Sequence, residues 1–296
     1  MGASGRYAQA IRLGDSLKSA PEVLSNKLTR AGSILVIDSG VGGLSVCQSI
    51  LEQQPRLQII YFADSAFFPY GLLPEEKLRE RLKHIVSSML AIHQPALVVL
   101  ACNTVSTLVL PELRALFDIP FVGVVPAIKP AAALSESKCI GLLATPATVN
   151  RPYTDQLIQD YAHDCEVIKI GSSELVHEAE KLFKGQAVSA EVINNLLKPF
   201  SNEYGQALVD TVVLGCTHFP LLKLDLAKQL PGIRWVDSGK AIANRVSHLL
   251  ATVPEISKVS NEAHQIYFSK PVQDQAIMAE SLRRLGLQNL EMKFLP

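Results

Sequence analysis

The feature that most constrains this chain is a series of eight short apolar runs separated by longer segments with helical spacing. The runs are rich in β-branched residues and are Ser33–Asp38, Gln58–Phe62, Ala96–Ala101, Phe121–Val125, Cys139–Ala144, Val167–Ile170, Thr211–Leu214 and Arg234–Val236. Between the second and third runs, Leu78, Leu82, Ile85 and Met89 recur at the spacing of one helix face. Continuous apolar strands that alternate with helices predict an α/β protein with mostly parallel sheets.

Two of these runs share a pattern that indicates an internal repeat. Residues 97–104 read L-V-V-L-A-C-N-T and residues 211–218 read T-V-V-L-G-C-T-H, so each strand ends at a small residue, a cysteine and two polar residues. The repeat predicts two similar, pseudo-twofold-related domains. We assign residues 1–32 to an N-terminal extension, 33–125 plus 239–296 to the first domain and 126–238 to the second.

The overall charge excludes several classes of partner. The chain carries 28 basic and 28 acidic side chains, which argues against nucleic acid and against a polybasic membrane-surface protein. No apolar run is long enough to span a membrane. Five cysteines are an odd number for a disulfide framework, so we expect a cytoplasmic protein with reduced thiols. Three of them, Cys47, Cys139 and Cys165, are predicted to be structural core thiols.

The other two cysteines, Cys102 and Cys216, are predicted to be functional. Ligands of α/β sheets bind beyond the carboxyl ends of strands, so both thiols are expected to flank one interdomain cleft. Each precedes a predicted helix start, where backbone N–H groups would stabilise a thiolate. Three chemistries stay open: a disulfide redox pair, a metal site completed by His218, or two acid/base groups on opposite faces of one carbon atom, as a racemase needs.

The glycine-rich segment after the first strand, D-S-G-V-G-G at 38–43, has two interpretations. The simpler one is a strand-to-helix turn whose glycines supply conformational freedom. A phosphate-binding loop is disfavoured, because the spacing departs from G-x-G-x-x-G and Asp38 would repel a phosphate. The carboxylate of Asp38 is better suited to hold a substrate ammonium group or to tune a neighbouring thiol.

Several polar residues near the strand ends are candidates for substrate contacts. Asn103, Thr104, Thr217 and His218 directly follow the thiols, and they are either helix N-caps or ligands of a carboxylate, with His218 also a proton partner of Cys216. For the segment Pro69-Tyr70-Gly71 we favour a loop with a packed aromatic ring. For Thr145 and Thr148, in T-P-A-T, we favour a turn.

Taken together, six segments resemble the glutamate racemases, the cofactor-independent enzymes that make D-glutamate for peptidoglycan, and hence for cell-wall biogenesis and cell shape. The segments are D-S-G-V-G-G-L-S-V (38–46), F-P-Y-G (68–71), A-C-N-T-V-S-T (101–107), V-G-V-V-P-A-I-K-P-A (122–131), V-V-L-G-C-T-H-F-P-L-L (212–222) and V-D-S-G (236–239). Aspartate racemases resemble C-N-T-x-H and C-T-E at the two thiols. Ser106 and His218 stand at those places here, which favours glutamate as the substrate.

The resemblance implies a role for each candidate residue. Cys102 would remove the α-proton of D-glutamate with help from Asp38, and Cys216 that of L-glutamate with help from His218. Substrate contacts would come from Asp38, Ser39, Tyr70, Gly71, Asn103, Thr104, Thr145, Thr148, Thr217 and His218. Glu180 is a candidate auxiliary acid. The resemblance implies no cofactor, no pyridoxal phosphate and no metal.

The sequence also departs from the pattern of the family, and its start suggests regulation. Val105 replaces a common alanine, and Ala147 replaces a common glycine. The N-terminal extension resembles that of proteobacterial members activated by UDP-N-acetylmuramoyl-L-alanine, and the chain is expected to be a monomer or a homodimer. The alternatives are an aspartate or other amino-acid racemase, a cysteine-nucleophile hydrolase that uses Cys216 and His218, and a non-catalytic amino-acid-binding module.

Overall fold

The computed structural model describes residues 32–252, 263–288 and 290–295, so the predicted N-terminal extension lies almost entirely outside the described residues. Its strands are β1 (Ser33–Asp38), β2 (Gln58–Ala63), β3 (Val98–Leu100), β4 (Phe121–Gly123), β5 (Cys139–Ala144), β6 (Glu166–Gly171), β7 (Thr211–Leu214), β8 (Arg234–Val236), β9 (His264–Phe268) and β10 (Leu290–Phe294). Its α-helices are α1 (Leu44–Gln53), α2 (Glu75–Ile92), α3 (Asn103–Leu116), α4 (Ile128–Leu134), α5 (Pro146–Val149), α6 (Pro152–Tyr161), α7 (Glu174–Phe183), α8 (Ala190–Leu197), α9 (Lys223–Gln229), α10 (Gly239–Thr252) and α11 (Gln275–Arg284).

The strands form two sheets in which every paired strand runs parallel to its neighbour. The first sheet has the order β10-β9-β2-β1-β3-β4, and the second has the order β6-β5-β7-β8. The predicted α/β class with parallel sheets is therefore confirmed. The order β2-β1-β3-β4 in the first sheet recurs as β6-β5-β7-β8 in the second, so β3 and β7 occupy equivalent positions, as the repeated strand-cysteine pattern predicts.

Both faces of the first sheet are covered, which explains why its central strands are continuously apolar. Ile34 and Val36 of β1 pack in a core with α1 and α10, whereas Leu35 and Ile37 point the other way, into a core with α2 and α3. The predicted helix face of Leu78, Leu82, Ile85 and Met89 is buried in that second core.

Two strands of the first sheet, β9 and β10, were not predicted from the periodicity. They lie at one edge of the sheet, where β10 pairs only with β9, and their sequences H-Q-I-Y-F and L-E-M-K-F mix polar with apolar residues. None of the β10 residues is fully buried and only the last three of β9 are, so neither strand carries the continuous apolar run that marks a central strand. Two strands are also shorter than predicted, since β3 covers only Val98–Leu100 of the run 96–101 and β4 covers only Phe121–Gly123 of the run 121–125.

The first sheet contains β1–β4, β9 and β10, and the second contains β5–β8, so the chain passes from one sheet to the other after β4 and returns after β8. The division into two domains with the predicted boundaries stays a prediction. The Oγ atom of Ser238 donates a hydrogen bond to the carbonyl oxygen of Val125, which ties the two crossing segments together. Across the described parts of the chain, none of the helices combines the length and the apolar character that a membrane crossing requires.

Candidate active site

The carboxyl ends of both sheets face one open pocket of about 430 Å³, a volume that includes solvent space at its mouth. Eleven of the twelve residues predicted for the site line it: Ser39, Tyr70, Gly71, Cys102, Asn103, Thr104, Thr145, Thr148, Cys216, Thr217 and His218. The twelfth, Asp38, is fully buried at the end of β1. The lining also includes Pro69, Leu72, Ser173, Val176 and Gly215. Ser173 and Val176, at the start of α7, carried no signal in the sequence.

The first thiol, Cys102, is the N-cap residue of α3 and comes two residues after β3. Burial raises the pKa of this thiol well above its usual value, the carboxylate of Asp38 raises it further, and backbone N–H groups of Val105 and Thr104 only partly oppose this. The predicted stabilisation of a thiolate by the helix N-terminus is present, but it is the smaller contribution. Removal from water and a nearby negative charge outweigh the backbone dipoles, so Cys102 is held as a protonated thiol.

The carboxyl group of Asp38 is only half satisfied. Its Oδ2 atom accepts a hydrogen bond of 2.8 Å from the backbone N–H of Gly43, whereas Oδ1 is buried without a partner. Burial raises the pKa of Asp38, and the charge on His218 and the N–H groups of Gly43 and Ser39 partly offset that rise. A buried, unpartnered carboxyl oxygen is uncommon and is available to accept a proton or a hydrogen bond from a ligand.

The second thiol, Cys216, comes two residues after β7 and contacts a histidine. Its Sγ atom lies 3.9 Å from Nδ1 of His218, and Nε2 of His218 lies 2.9 Å from Oε1 of Glu180. Burial opposes a charge on His218, but its hydrogen bonds to Cys216 and Glu180, together with the Asp38 carboxylate, raise the pKa of His218 well above its usual value. Burial would raise the pKa of Glu180, yet the bond to His218 lowers it overall. The two side chains therefore form an imidazolium–carboxylate pair.

The aromatic ring of Tyr70 is packed, as predicted, and its hydroxyl group is also fixed. It donates a hydrogen bond of 2.9 Å to Oδ2 of Asp64, and Arg81 donates two further bonds, of 3.0 and 2.7 Å, to the same carboxylate. The guanidinium carbon of Arg81 lies 4.4 Å above the ring of Phe67. Sequence inspection gave no role to Asp64 or Arg81, because their pairing brings residues of a loop and of α2 together.

Hydroxyl groups connect the part of the molecule that carries the first sheet (the first half) to the part that carries the second sheet (the second half) at the pocket. Thr145 is the N-cap of α5, where its side chain accepts a bond from the backbone N–H of Thr148, so the predicted turn is a helix start. The Oγ1 atom of Thr104, in the other half, lies 3.2 Å from Oγ1 of Thr145 and 3.3 Å from that of Thr148. Nearby, Nδ2 of Asn103 is buried without a partner and is free to donate to a ligand.

Ser106, whose identity favoured glutamate over aspartate in the sequence comparison, does not line the pocket. Its Oγ atom donates to the carbonyl oxygen of Leu100 and accepts from the backbone N–H of Val124, each at 2.9 Å. These bonds connect the ends of β3 and β4. Any influence of Ser106 on substrate choice is therefore exerted through the backbone rather than by direct contact.

The remaining cysteines differ from the prediction in one respect. Cys47 is fully buried in the core of the first sheet, as expected. Cys139 and Cys165 are only partly buried and pack against the cores on opposite faces of the second sheet, so they are not core thiols. Among the residues that the structure describes, no cluster of three or more histidine, cysteine, aspartate or glutamate side chains could hold a metal ion.

The glycine-rich segment after β1 is a contact surface rather than a turn that needs conformational freedom. Neither Gly40 nor Gly42 has a positive φ angle. A Cβ atom at Gly40 would lie 2.2 Å from Oε1 of Glu180, and one at Gly42 would lie 2.2 Å from Nδ1 of His218. Close packing against the other half explains these two glycines, and the interpretation based on backbone freedom is wrong for them.

Two thiols at equivalent strand ends, each with an ionisable neighbour and both lining one pocket, define an α/β protein built for acid–base chemistry on a small ligand. Residues 34–246 match the sequence profile described as Asp/Glu/Hydantoin racemase. The chain belongs to this racemase family.

Individual relatives agree with this assignment. The chain is 46% identical over 281 residues to the glutamate racemase of Pectobacterium atrosepticum, a match that covers 95% of this chain and 97% of that one. Among solved structures, it resembles Escherichia coli glutamate racemase in complex with L-glutamate and the activator UDP-MurNAc-Ala, with a TM-score of 0.82, 42% identity and coverage of 90% and 98%. It also resembles a glutamate racemase isoform from Bacillus anthracis, with a TM-score of 0.76, 26% identity and coverage of 89% and 97%.

Proposed function

We propose that this protein interconverts L- and D-glutamate by two-base proton transfer and so supplies D-glutamate for peptidoglycan. The observation that carries the proposal is that Cys102 and Cys216, at the ends of the equivalent strands β3 and β7, line one pocket. Racemisation requires a base on one face of the α-carbon and an acid on the other, and a thiol serves in either role. The similarity to relatives named glutamate racemase supports glutamate as the substrate.

In the direction from L- to D-glutamate, Cys216 acts as the base and Cys102 as the acid. The Cys216 thiolate takes the α-proton, which leaves a carbanion, and the Cys102 thiol then delivers its own proton to the opposite face. The imidazolium of His218 donates the hydrogen bond that a thiolate accepts, and burial keeps Cys102 protonated before the reaction. The product leaves behind a Cys216 thiol and a Cys102 thiolate, which is the form that accepts D-glutamate.

The difficulty of the reaction is that an α-proton beside a carboxylate is weakly acidic. Neutral donors in the pocket can hold the substrate carboxylates and stabilise the charge that develops on them. The candidates are the unpartnered Nδ2 of Asn103 and the hydroxyls of Ser39, Thr104 and Thr217. We also assign to Asp38, whose Oδ1 has no partner and whose charge acts on Cys102, the role of accepting a hydrogen bond from the substrate ammonium or from the Cys102 thiol.

The first test of the proposed substrate compares L-glutamate with L-aspartate. Aspartate is one methylene shorter, and a single methylene in a pocket is worth about 10- to 200-fold in kcat/KM. We expect L-glutamate to be racemised with a kcat/KM at least tenfold higher, measured by chiral chromatography of the products. The same assay with L-alanine controls for general activity on amino acids, and an equal or higher value for L-aspartate would favour the aspartate racemase alternative.

A cysteine hydrolase is the rival that the pair Cys216–His218 supports, because a thiol beside an imidazole also forms a nucleophile. That rival leaves Cys102 without a role and predicts a covalent intermediate on Cys216. The proposed racemase gives both thiols a role and forms no covalent adduct. Mass spectrometry of the intact protein during incubation with an amide such as L-glutamine, which carries the leaving group that L-glutamate lacks, tests for the adduct, and incubation with L-glutamate tests for racemisation. A non-catalytic binding module would show neither an adduct nor any change in optical rotation.

The second test concerns activation by UDP-N-acetylmuramoyl-L-alanine, which we propose because the related Escherichia coli protein was solved with that activator. We expect kcat for L-glutamate to rise when the nucleotide is added to the full-length protein, since the activator would stabilise the catalytically competent arrangement of the two halves. UDP-N-acetylglucosamine, which lacks the lactyl-alanine group, is the matched control. No change in kcat at saturating nucleotide would contradict the proposal. The cytoplasmic location and the monomer or homodimer state stay predictions.

A further inference from the structure

The glycine-rich segment after β1 contacts the ion pair of Glu180 and His218 directly. Oε1 of Glu180, on α7, accepts a hydrogen bond of 2.8 Å from the backbone N–H of Val41 and lies 2.9 Å from Nε2 of His218. One carboxylate oxygen therefore connects the loop after β1 to the histidine that contacts Cys216. The side chains of His218 and Glu180 are 3% and 14% exposed, so water competes little for these bonds.

The loop that makes this contact is itself anchored in the first half. The hydroxyl of Tyr61 donates to the carbonyl oxygen of Gly40, and Oδ2 of Asp38 accepts from the backbone N–H of Gly43, each at 2.8 Å. Gly43 packs closely as well, since a Cβ atom there would lie 2.8 Å from Cβ of Ala101. The loop cannot retreat without breaking these bonds, so it forms a fixed surface.

The side chains that rest on this surface lie in direct contact with its backbone. A Cβ atom at Gly42 would lie 2.2, 2.6 and 2.7 Å from three atoms of the His218 ring, so the ring lies directly against the backbone of the loop. A second bond between the halves holds the neighbouring residue: Oγ of Ser45, on α1, donates to the carbonyl oxygen of Thr217 at 2.8 Å. His218 is therefore positioned jointly by Glu180, by the loop and by the backbone of Thr217.

From these contacts we infer that Val41 and the backbone of Gly40 and Gly42 are positioning residues for proton transfer at Cys216. They act through Glu180 and His218, so that the first half of the molecule, which carries Cys102, also sets the orientation of the group that serves Cys216. This inference rests on the proposed racemase function. It assigns to the glycine segment a role in orienting one specific proton donor and acceptor, in place of binding phosphate or shaping a turn.

The test uses Gly42→Ala, because the added methyl group must push against a rigid ring rather than the end of a flexible side chain. We expect kcat/KM for glutamate to fall by about tenfold or more, because displacement of a catalytic partner by about 1 Å can cost as much as about 10²-fold. Racemisation has an equilibrium constant of one, so kcat/KM must fall equally for both enantiomers. The overall rate therefore does not show which thiol is affected.

Primary deuterium isotope effects show which of the two thiols is affected. If transfer at Cys216 becomes slower, the isotope effect on kcat/KM for [2-²H]-L-glutamate should rise, and that for [2-²H]-D-glutamate should fall, relative to the unmodified protein. Glu180→Gln keeps the size of the side chain but removes its charge, and it should change the two isotope effects in the same directions. If the loop acts through Glu180, the double variant should be no more than slightly worse than the more impaired single variant.

The matched control is Gly141→Ala, in β5, where the added methyl would lie 2.7 Å from two ring atoms of Phe200 in the core of the second sheet. It should lower the thermal unfolding midpoint and leave the ratio of the two isotope effects unchanged. An unchanged ratio in both Gly42→Ala and Glu180→Gln, with the unmodified protein active on glutamate, would overturn the inference alone. An unmodified protein with no racemase activity would instead overturn the proposed function. Should Gly42→Ala fail to fold, Glu180→Gln alone decides the question by the same ratio.

Discussion

Replacing either Cys102 or Cys216 with alanine is expected to abolish racemisation of glutamate. Each substitution removes the acid or base on one face of the α-carbon, and a positioned group of this kind contributes about 10²- to 10⁴-fold to the rate. Since both directions use both thiols, kcat should fall for L- and for D-glutamate in each variant. The measurement is the rate of change of optical rotation from either enantiomer.

The two variants should nonetheless differ in a way that loss of folding cannot imitate. In Cys102→Ala the remaining base is Cys216, so solvent deuterium should enter the α-position of L-glutamate slowly and with retention, whereas D-glutamate should not exchange. Cys216→Ala should show the reverse. Cys139→Ala is the matched control, because that thiol is also partly buried but lies outside the pocket. Full racemase activity in either pocket variant would contradict the two-base assignment.

Replacing Asp38 with asparagine is expected to have the second-largest effect. It should lower the rate of racemisation, and it should make the Cys102 thiol easier to ionise. Asparagine can still accept the hydrogen bond from Gly43, so the local backbone should be kept. It cannot take up a proton or stabilise the substrate ammonium by charge, and kcat/KM should fall by about 10²-fold. The carboxylate of Asp38 is the second-largest cause, after burial, of the raised pKa of Cys102. Its removal should therefore lower the pKa of Cys102.

The lower pKa can be measured directly from the pH dependence of alkylation of Cys102 by iodoacetamide, followed by peptide mass spectrometry. A thiol with a raised pKa reacts only at high pH, because the thiolate is the nucleophile. In Asp38→Asn the onset of alkylation should move to lower pH while racemisation falls. Asp210→Asn is the matched control. That carboxylate binds the backbone N–H groups of Glu136 and Ser137, outside the pocket, and its loss should change neither readout. An unchanged onset in Asp38→Asn would contradict the assigned electrostatic role.

The parallel sheets and most of the residues that line the pocket could be predicted from the sequence. Central strands of a covered parallel sheet are continuously apolar, and the residues that follow them gather at one edge, so Cys102, Asn103, Cys216 and Thr217 can be placed together without coordinates. The repeated strand-cysteine pattern also predicts the equivalent positions of β3 and β7. Edge strands such as β10 escape this logic, because one side of the strand has no partner.

The contacts between the two halves could not be predicted in the same way. The bond from Val41 to Glu180 joins residues that are distant in the chain, and nothing in the periodicity of either segment indicates it. The sequence also could not predict that the pKa of Cys102 is raised rather than lowered, since this depends on whether burial or the backbone N–H groups make the larger contribution. Likewise, the sequence around Gly42 predicts a turn, and only the position of the His218 ring shows that a glycine is required there for close packing against it.

The most direct test of the two-base mechanism is to incubate L-glutamate with the protein in D₂O and to analyse both enantiomers by ¹H NMR and chiral chromatography at early times. We expect newly formed D-glutamate to carry deuterium at its α-carbon, because Cys102 delivers a deuteron drawn from the solvent. The remaining L-glutamate should keep its α-proton at that stage, since Cys216 holds the abstracted proton on the other face. D-glutamate that retains the original proton, or no incorporation of deuterium at all, would contradict the account.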